Sequence, residues 1–128
     1  MKDLKILIVD DSEIMRMVAK QVMQMNGFEY IVEAADVAQA ERELEKSKVG
    51  RKIGLIISDY NMPGKNGLEF LKTVKASKDF SQIPFVFMST NTDRDVIAKM
   101  IAAGAKGYIM KPYTAETFEA TIKKVIHF

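Results

Sequence analysis

Five side chains able to carry charge or donate hydrogen bonds stand where apolar runs stop. Asp10 and Asp11 follow Ile6 to Val9, Asp59 comes just after Ile53 to Ile57, Ser89 closes Phe85 to Met88, and Lys111 follows Tyr108 to Met110. If the runs are neighbouring parallel strands, all five face one crevice, because ligands of open parallel sheets gather outside the carboxyl ends of the strands. Three carboxylates there repel, at about 4 kcal/mol for a pair 4 Å apart in an effective dielectric of 20, and one lysine offsets only part of this. About two negative charges remain, which a divalent cation removes. With no histidine or cysteine nearby, the donors are all oxygen and point to magnesium or manganese, with water completing an octahedron. A carboxylate screened in this way can attack a phosphoryl group to form an acyl phosphate. Ser89 can donate to one phosphoryl oxygen and Lys111 can pair with another as a point charge. Taken singly the signals are weaker: Asp10 or Asp11 alone serves equally well as a cap of the helix that follows.

Such a crevice needs strands and helices in alternation. The four runs are continuous where half-exposed strands would alternate, as in parallel strands covered on both faces, and a fifth run, Tyr30 to Ala34, is weaker. Between them lie residues at helical spacing: Ile14, Val18, Val22 and Met25; Leu68, Leu71 and Val74; Ile97, Met100 and Ile101; Phe118, Ile122 and Val125. Ser12, Asp36 and Thr92 stand where N-caps belong, and Gly27 and Gly104 follow the ends of stripes. Five β-α repeats in 128 residues, joined by right-handed crossovers, imply an α/β fold with an open doubly wound sheet, a three-layer sandwich and not a closed barrel. The segment Lys46 to Lys52, KSKVGRK, reads as a solvated loop between the second helix and the third strand, with a basic docking patch as the alternative. Met15, Met17, Met23 and Met25 fall in the first helix and read as core fillers, or else as an adaptable docking face.

Length and composition fit one domain over residues 1–128, with 48% apolar and 28% charged residues, enough material for a core and not a disordered chain. The 19 basic and 17 acidic residues are interspersed, which argues against a nucleic-acid groove or a membrane patch. The absence of cysteine excludes disulfides and thiolate chemistry. No apolar run approaches the roughly 20 residues that span a bilayer, and the first strand begins too early for a signal peptide, so a cytoplasmic protein is expected. The lone histidine, His127, has no partner in sequence and is assigned no role.

Four stretches together resemble the response-regulator receiver family of two-component systems: IVDDS ending at Ser12, SDYNMPGKNG from Ser58 to Gly67, FMST ending at Thr90, and GYIMKP ending at Pro112. The likeness spans essentially the whole chain, and the C-terminal half resembles the stand-alone chemotaxis receivers. It implies a flavodoxin-like fold of five parallel strands, ordered 2-1-3-4-5, with five helices. It also implies phosphorylation of Asp59, metal ligation by Asp11, Asp59 and the backbone carbonyl of Asn61, and metal-bound water held by Asp10. Ser89, Tyr108 and Lys111 match the family's hydroxyl switch, aromatic switch and phosphoryl-binding lysine, and the Lys111–Pro112 bond is expected to be cis. From the residues alone, the alternative for Tyr108 is a core-edge aromatic with a wet hydroxyl. Thr90 and Asn91 depart from the commonest pattern, which puts the rate of phosphorylation and the lifetime of the acyl phosphate in question.

The resemblance implies a magnesium-dependent phosphorelay switch that accepts its phosphoryl group from a sensor histidine kinase or a histidine phosphotransfer protein. It signals by docking through the surface of the fourth helix, fifth strand and fifth helix, as a monomer or weak dimer. It is not an enzyme beyond its own phosphorylation and dephosphorylation. Alternatives are a receiver that docks without phosphorylation and a receiver cut from a larger regulator. A phosphatase of the haloacid-dehalogenase type would need a second aspartate where Asn61 stands. A nucleotide binder of similar fold would need a phosphate cradle where Asp10 and Asp11 stand.

Overall fold

The computed structural model describes residues 2–91 and 93–128. Its strands are β1 (Lys5–Val9), β2 (Tyr30–Ala34), β3 (Ile53–Asp59), β4 (Phe85–Ser89) and β5 (Gly107–Met110). All pair in parallel, in the order β2-β1-β3-β4-β5. The helices α1 (Glu13–Met25), α2 (Val37–Lys46), α3 (Gly67–Ala76), α4 (Arg94–Ala102) and α5 (Ala115–Ile126) fill the connections. This is the expected three-layer, flavodoxin-like sandwich.

Burial explains why the central runs are the strongest and the edge runs short or weak. β4 is buried at every residue, and β1 and β3 at nearly every one, because helices cover both faces. The edge strands β2 and β5 are only partly covered, so their apolar content is diluted. The alternation of side chains along each strand sorts the core into two clusters. Leu7, Val9, Ile56, Phe85 and Phe87 meet residues of α2, α3 and α4 on one face. Ile6, Ile8, Leu55, Ile57, Val86 and Met88 meet α1 and α5 on the other.

Caps fix where the helices begin. The Ser12 side chain accepts from the Met15 N–H and Asp36 from the Gln39 N–H, as the sequence suggests. Thr92 lies outside the described residues, and α4 is capped by Asp93, which accepts from the Asp95 N–H at 2.8 Å. Gly27 and Gly104 follow the ends of α1 and α4 with φ of 91° and 112°, a conformation that glycine adopts without a Cβ penalty.

The phase of α1 differs from the expected one. Ala19, Val22 and Met23 face the core, while Ile14 is 70% and Met25 81% exposed and Val18 and Met17 also face solvent. Core filling therefore holds for Met23 but not for Met17 or Met25. The helix carries two overlapping apolar stripes, and only the one around Ala19 permits close approach to the sheet. In the basic loop after α2, Lys48 pairs with Glu45 and Asp79, and Arg51 stacks 3.7 Å from the Tyr30 ring centroid. Those two cations bind to the body of the fold; Ser47 is buried, its hydroxyl donating to the Leu44 carbonyl, while Val49, Gly50 and Lys52 are exposed, as in a solvated connection.

Candidate phosphoryl-acceptor site

β1 and β3 are neighbours in register, Val9 opposite Ser58, so their carboxyl ends deliver Asp10, Asp11 and Asp59 to one place. Carboxylate oxygens of the three lie within 4.8 Å of one another. Asp10 is wholly buried and Asp59 is 7% exposed, while Asp11 stands at the rim. The Asp10 carboxylate is held by two donors, the Ser12 N–H at 2.9 Å on Oδ1 and the Lys111 ammonium at 2.8 Å on Oδ2. Lys111 arrives because its own N–H donates to the Ser89 carbonyl, which extends the β4–β5 ladder by one residue. Its Nζ also lies 3.3 Å from Asp59 Oδ2, so one cation bridges two of the three carboxylates. The Lys111–Pro112 bond is cis, as the resemblance implies.

The charges in this pocket remain in conflict. Burial raises the Asp59 pKa; Lys111 pulls it back, Asp10 pushes it up, and the Asn61 N–H favours the ionised form, with a net rise. For Lys111, burial is the largest single influence and favours the neutral amine. It is outweighed by the hydrogen bond to Asp10 and the charges of Asp59 and Asp10, so the ammonium is held above its usual range. The cation is firmly charged and still does not fully balance its neighbours.

Ser89 is buried at the end of β4, and its Oγ accepts from the Asn91 N–H at 3.0 Å. The Tyr108 hydroxyl donates to the carbonyl of the same Asn91. Ser89 and Tyr108 are thus joined through one backbone unit, a link that neither residue type announces in sequence. Thr90 between them is exposed.

A site so composed, on this sheet order, has known counterparts. The description of the response regulator receiver domain matches residues 6–123. The chain belongs to the response regulator receiver family. This receiver is 34% identical over 124 residues to chemotaxis protein CheY-3 of Vibrio cholerae, covering 97% of this chain and 92% of that protein. It is 31% identical to chemotaxis protein CheY1 of Helicobacter pylori over 96% of this chain and 97% of that one. The crystal structure of CheY4 of Vibrio cholerae superposes with a TM-score of 0.84 at 33% identity, covering 96% and 98% of the two chains.

The receiver's donor set fits a hard divalent cation: three carboxylates meet at oxygen-to-oxygen distances within 4.8 Å, with one ammonium and neither imidazole nor thiolate among them. Three further residues support the pocket without being visible as functional in sequence. Arg16 donates from Nη1 to the Asp10 carbonyl at 2.6 Å and from Nε to Glu33 at 3.2 Å, tying the start of α1 to β2 across the acidic corner. Gly67 opens α3 against the end of β3, where a Cβ would come 2.5 Å from the Asp59 carbonyl oxygen and 2.8 Å from the Phe87 ring. Tyr113, two residues after Lys111, packs against the apolar cluster under α1 and α5. Helical spacing alone places Arg16 on the turn after Asp10, but the contacts of the other two cross between elements and leave no local signal.

Proposed function

We propose that the chain is a phosphorelay switch that accepts a phosphoryl group on Asp59 from a phosphohistidine of a sensor kinase or histidine phosphotransfer protein. The observation that carries this reading is the buried Asp59 carboxylate, grouped with Asp10 and Asp11 and 3.3 Å from the Lys111 ammonium. An Asp59 oxygen attacks phosphorus; the new P–O bond forms as the P–N bond breaks, and the imidazole keeps the electron pair and is left neutral or protonated by solvent. Asp11, Asp59 and the Asn61 carbonyl would hold magnesium, or manganese, and Asp10 its bound water. The cation would supply charge compensation for the phosphoryl oxygens. Lys111 turns its ammonium to one phosphoryl oxygen, and Ser89 gives up the Asn91 N–H to donate its hydroxyl to another.

Movement of Ser89 draws on Asn91, and through Asn91 on Tyr108, so the surface of α4, β5 and α5 shifts between two populations. Ile101 and Met110 lie exposed on that surface, and they offer apolar contact to a downstream docking protein. The chain would catalyse only its own phosphorylation and dephosphorylation, and it would act in the cytoplasm; among the described residues no helix is long and apolar enough to cross a membrane.

Intact-mass measurement after incubation with a small phosphodonor and magnesium tests the chemistry. One labile phosphoryl adduct is expected in the native protein and none in Asp59→Asn or without metal. An adduct that survives Asp59→Asn would move the acceptor elsewhere, and no adduct in folded, metal-binding protein would favour docking without phosphorylation.

A further inference from the structure

Tyr113 stands one residue after the Lys111–Pro112 bond and packs against the cluster formed by α1, α5 and the Ile6–Ile8 side of β1. Its ring centroid lies 5.0 Å from that of Phe118, which fixes the ring against α5. The hydroxyl is buried, yet among the described residues it has no hydrogen-bond partner. Buried phenols ordinarily find one, and leaving a hydroxyl unsatisfied costs about 1–3 kcal/mol. Asp10 continues the alternation of Ile6 and Ile8 and so lies toward the same side of the sheet. Burial, and after it the negative charge of Asp10, push the Tyr113 phenol up to about 12, so the group remains a donor at neutral pH.

We propose that Tyr113 is a positioning residue of the phosphorylation site, its hydroxyl taking over the hydrogen bond to Asp10 when Lys111 turns from Asp10 to the phosphoryl group. This rests on the function proposed above and deepens it. Lys111 is shared between Asp10 Oδ2 at 2.8 Å and Asp59 Oδ2 at 3.3 Å, and a phosphoryl group on Asp59 competes for the same ammonium. Asp10, wholly buried, then keeps the Ser12 N–H as its one protein donor among those described, beside the metal-bound water assigned to it above. A carboxylate deprived of a charged partner in such a place is destabilised, and a neutral donor restores a bond without adding charge. The unsatisfied hydroxyl burdens the unphosphorylated form alone, so the exchange favours the phosphorylated one.

The test compares native protein with Tyr113→Phe in two measurements. The first is titration with beryllofluoride, a stable stand-in for the aspartyl phosphoryl group, in the presence of magnesium. The second is thermal unfolding of the free proteins. Tyr113→Phe is expected to bind beryllofluoride about tenfold more weakly, the loss of one hydrogen bond to a charged group. Its free form is expected to unfold at the same or a higher temperature, because an unsatisfied group has been removed. Equal beryllofluoride affinity overturns the proposal. A lowered unfolding temperature of the free variant also overturns it, since the hydroxyl would then already be bonded before phosphorylation. Native protein that takes neither beryllofluoride nor a phosphoryl group removes the parent function and this proposal together. Native protein that is labelled normally while Tyr113→Phe matches it removes this proposal alone.

Discussion

At Asp59, the proposed reactivity and the stability of the fold are in opposition. The carboxylate is buried beside Asp10, and although Lys111 and the Asn61 N–H favour its ionised form, its pKa lies above the ordinary carboxylate range. A group with a raised folded-state pKa contributes stability below its unfolded pKa and loses that contribution as pH rises through the folded value. For Asp59 the loss begins near the unfolded value of about 4 and proceeds as pH rises through the raised folded value, because the folded chain holds this carboxylate more easily protonated than ionised. Asp59→Asn removes that charge while Lys111 keeps Asp10 as a partner. In metal-free buffer at pH 7 the variant is expected to be more stable than the native protein, with the advantage shrinking toward pH 4. Denaturant unfolding at the two pH values checks this, and an Asn variant less stable at pH 7 would show that the Lys111–Asp59 contact outweighs burial and repulsion.

The elements hold these residues through close approach as much as through hydrogen bonds. α3 begins at Gly67 hard against the end of β3, and an added Cβ would meet the Asp59 carbonyl oxygen, the Phe87 ring and Tyr60 Cα at 2.5, 2.8 and 2.9 Å. Two of those neighbours are backbone, so the helix or the strand end must move. Gly67→Ala is expected to cost about 1–3 kcal/mol by overpacking and to weaken magnesium binding, because the displaced backbone is that of Asp59 itself. Calorimetric titration with magnesium, together with denaturant unfolding, separates the two losses. The strands were open to reading because Ile6–Val9, Ile53–Ile57 and Phe85–Met88 are continuous apolar runs, and the site residues because they stand directly after them, whereas the strand order came only from the family resemblance. The phase of α1 was legible only at Val22, since Ile14, Val18, Val22 and Met25 offer as regular a stripe as Ala19, Val22 and Met23, and only packing against the sheet decides between them. The Asn91 bridge between Ser89 and Tyr108, the steric demand at Gly67 and the burial of the Tyr113 hydroxyl were not legible, because all of them arise where separate elements meet.

On the scale of the whole molecule, the sheet gathers its charge conflict at one end and its apolar support everywhere else. Both core clusters run the length of β1, β3 and β4, so repulsion among Asp10, Asp11 and Asp59 is borne by the entire fold and does not open a local segment. A cation that neutralises the cluster should therefore stabilise global unfolding as one transition. A ligand that binds only the folded form adds about 2.7 kcal/mol at one hundred times its dissociation constant. For a chain of this size that corresponds to a rise of roughly 8–14 °C in the unfolding midpoint. The gain is expected to saturate with magnesium concentration, to shrink in Asp59→Asn, and to disappear as the carboxylates protonate. Because the Asp59 pKa is raised, that disappearance should begin above the ordinary carboxylate range as pH falls. Calorimetry at several magnesium concentrations and two pH values measures all three effects. A midpoint indifferent to magnesium at pH 7 would mean that Lys111 alone balances the cluster, and charge compensation during phosphoryl transfer would then fall to Lys111 without help.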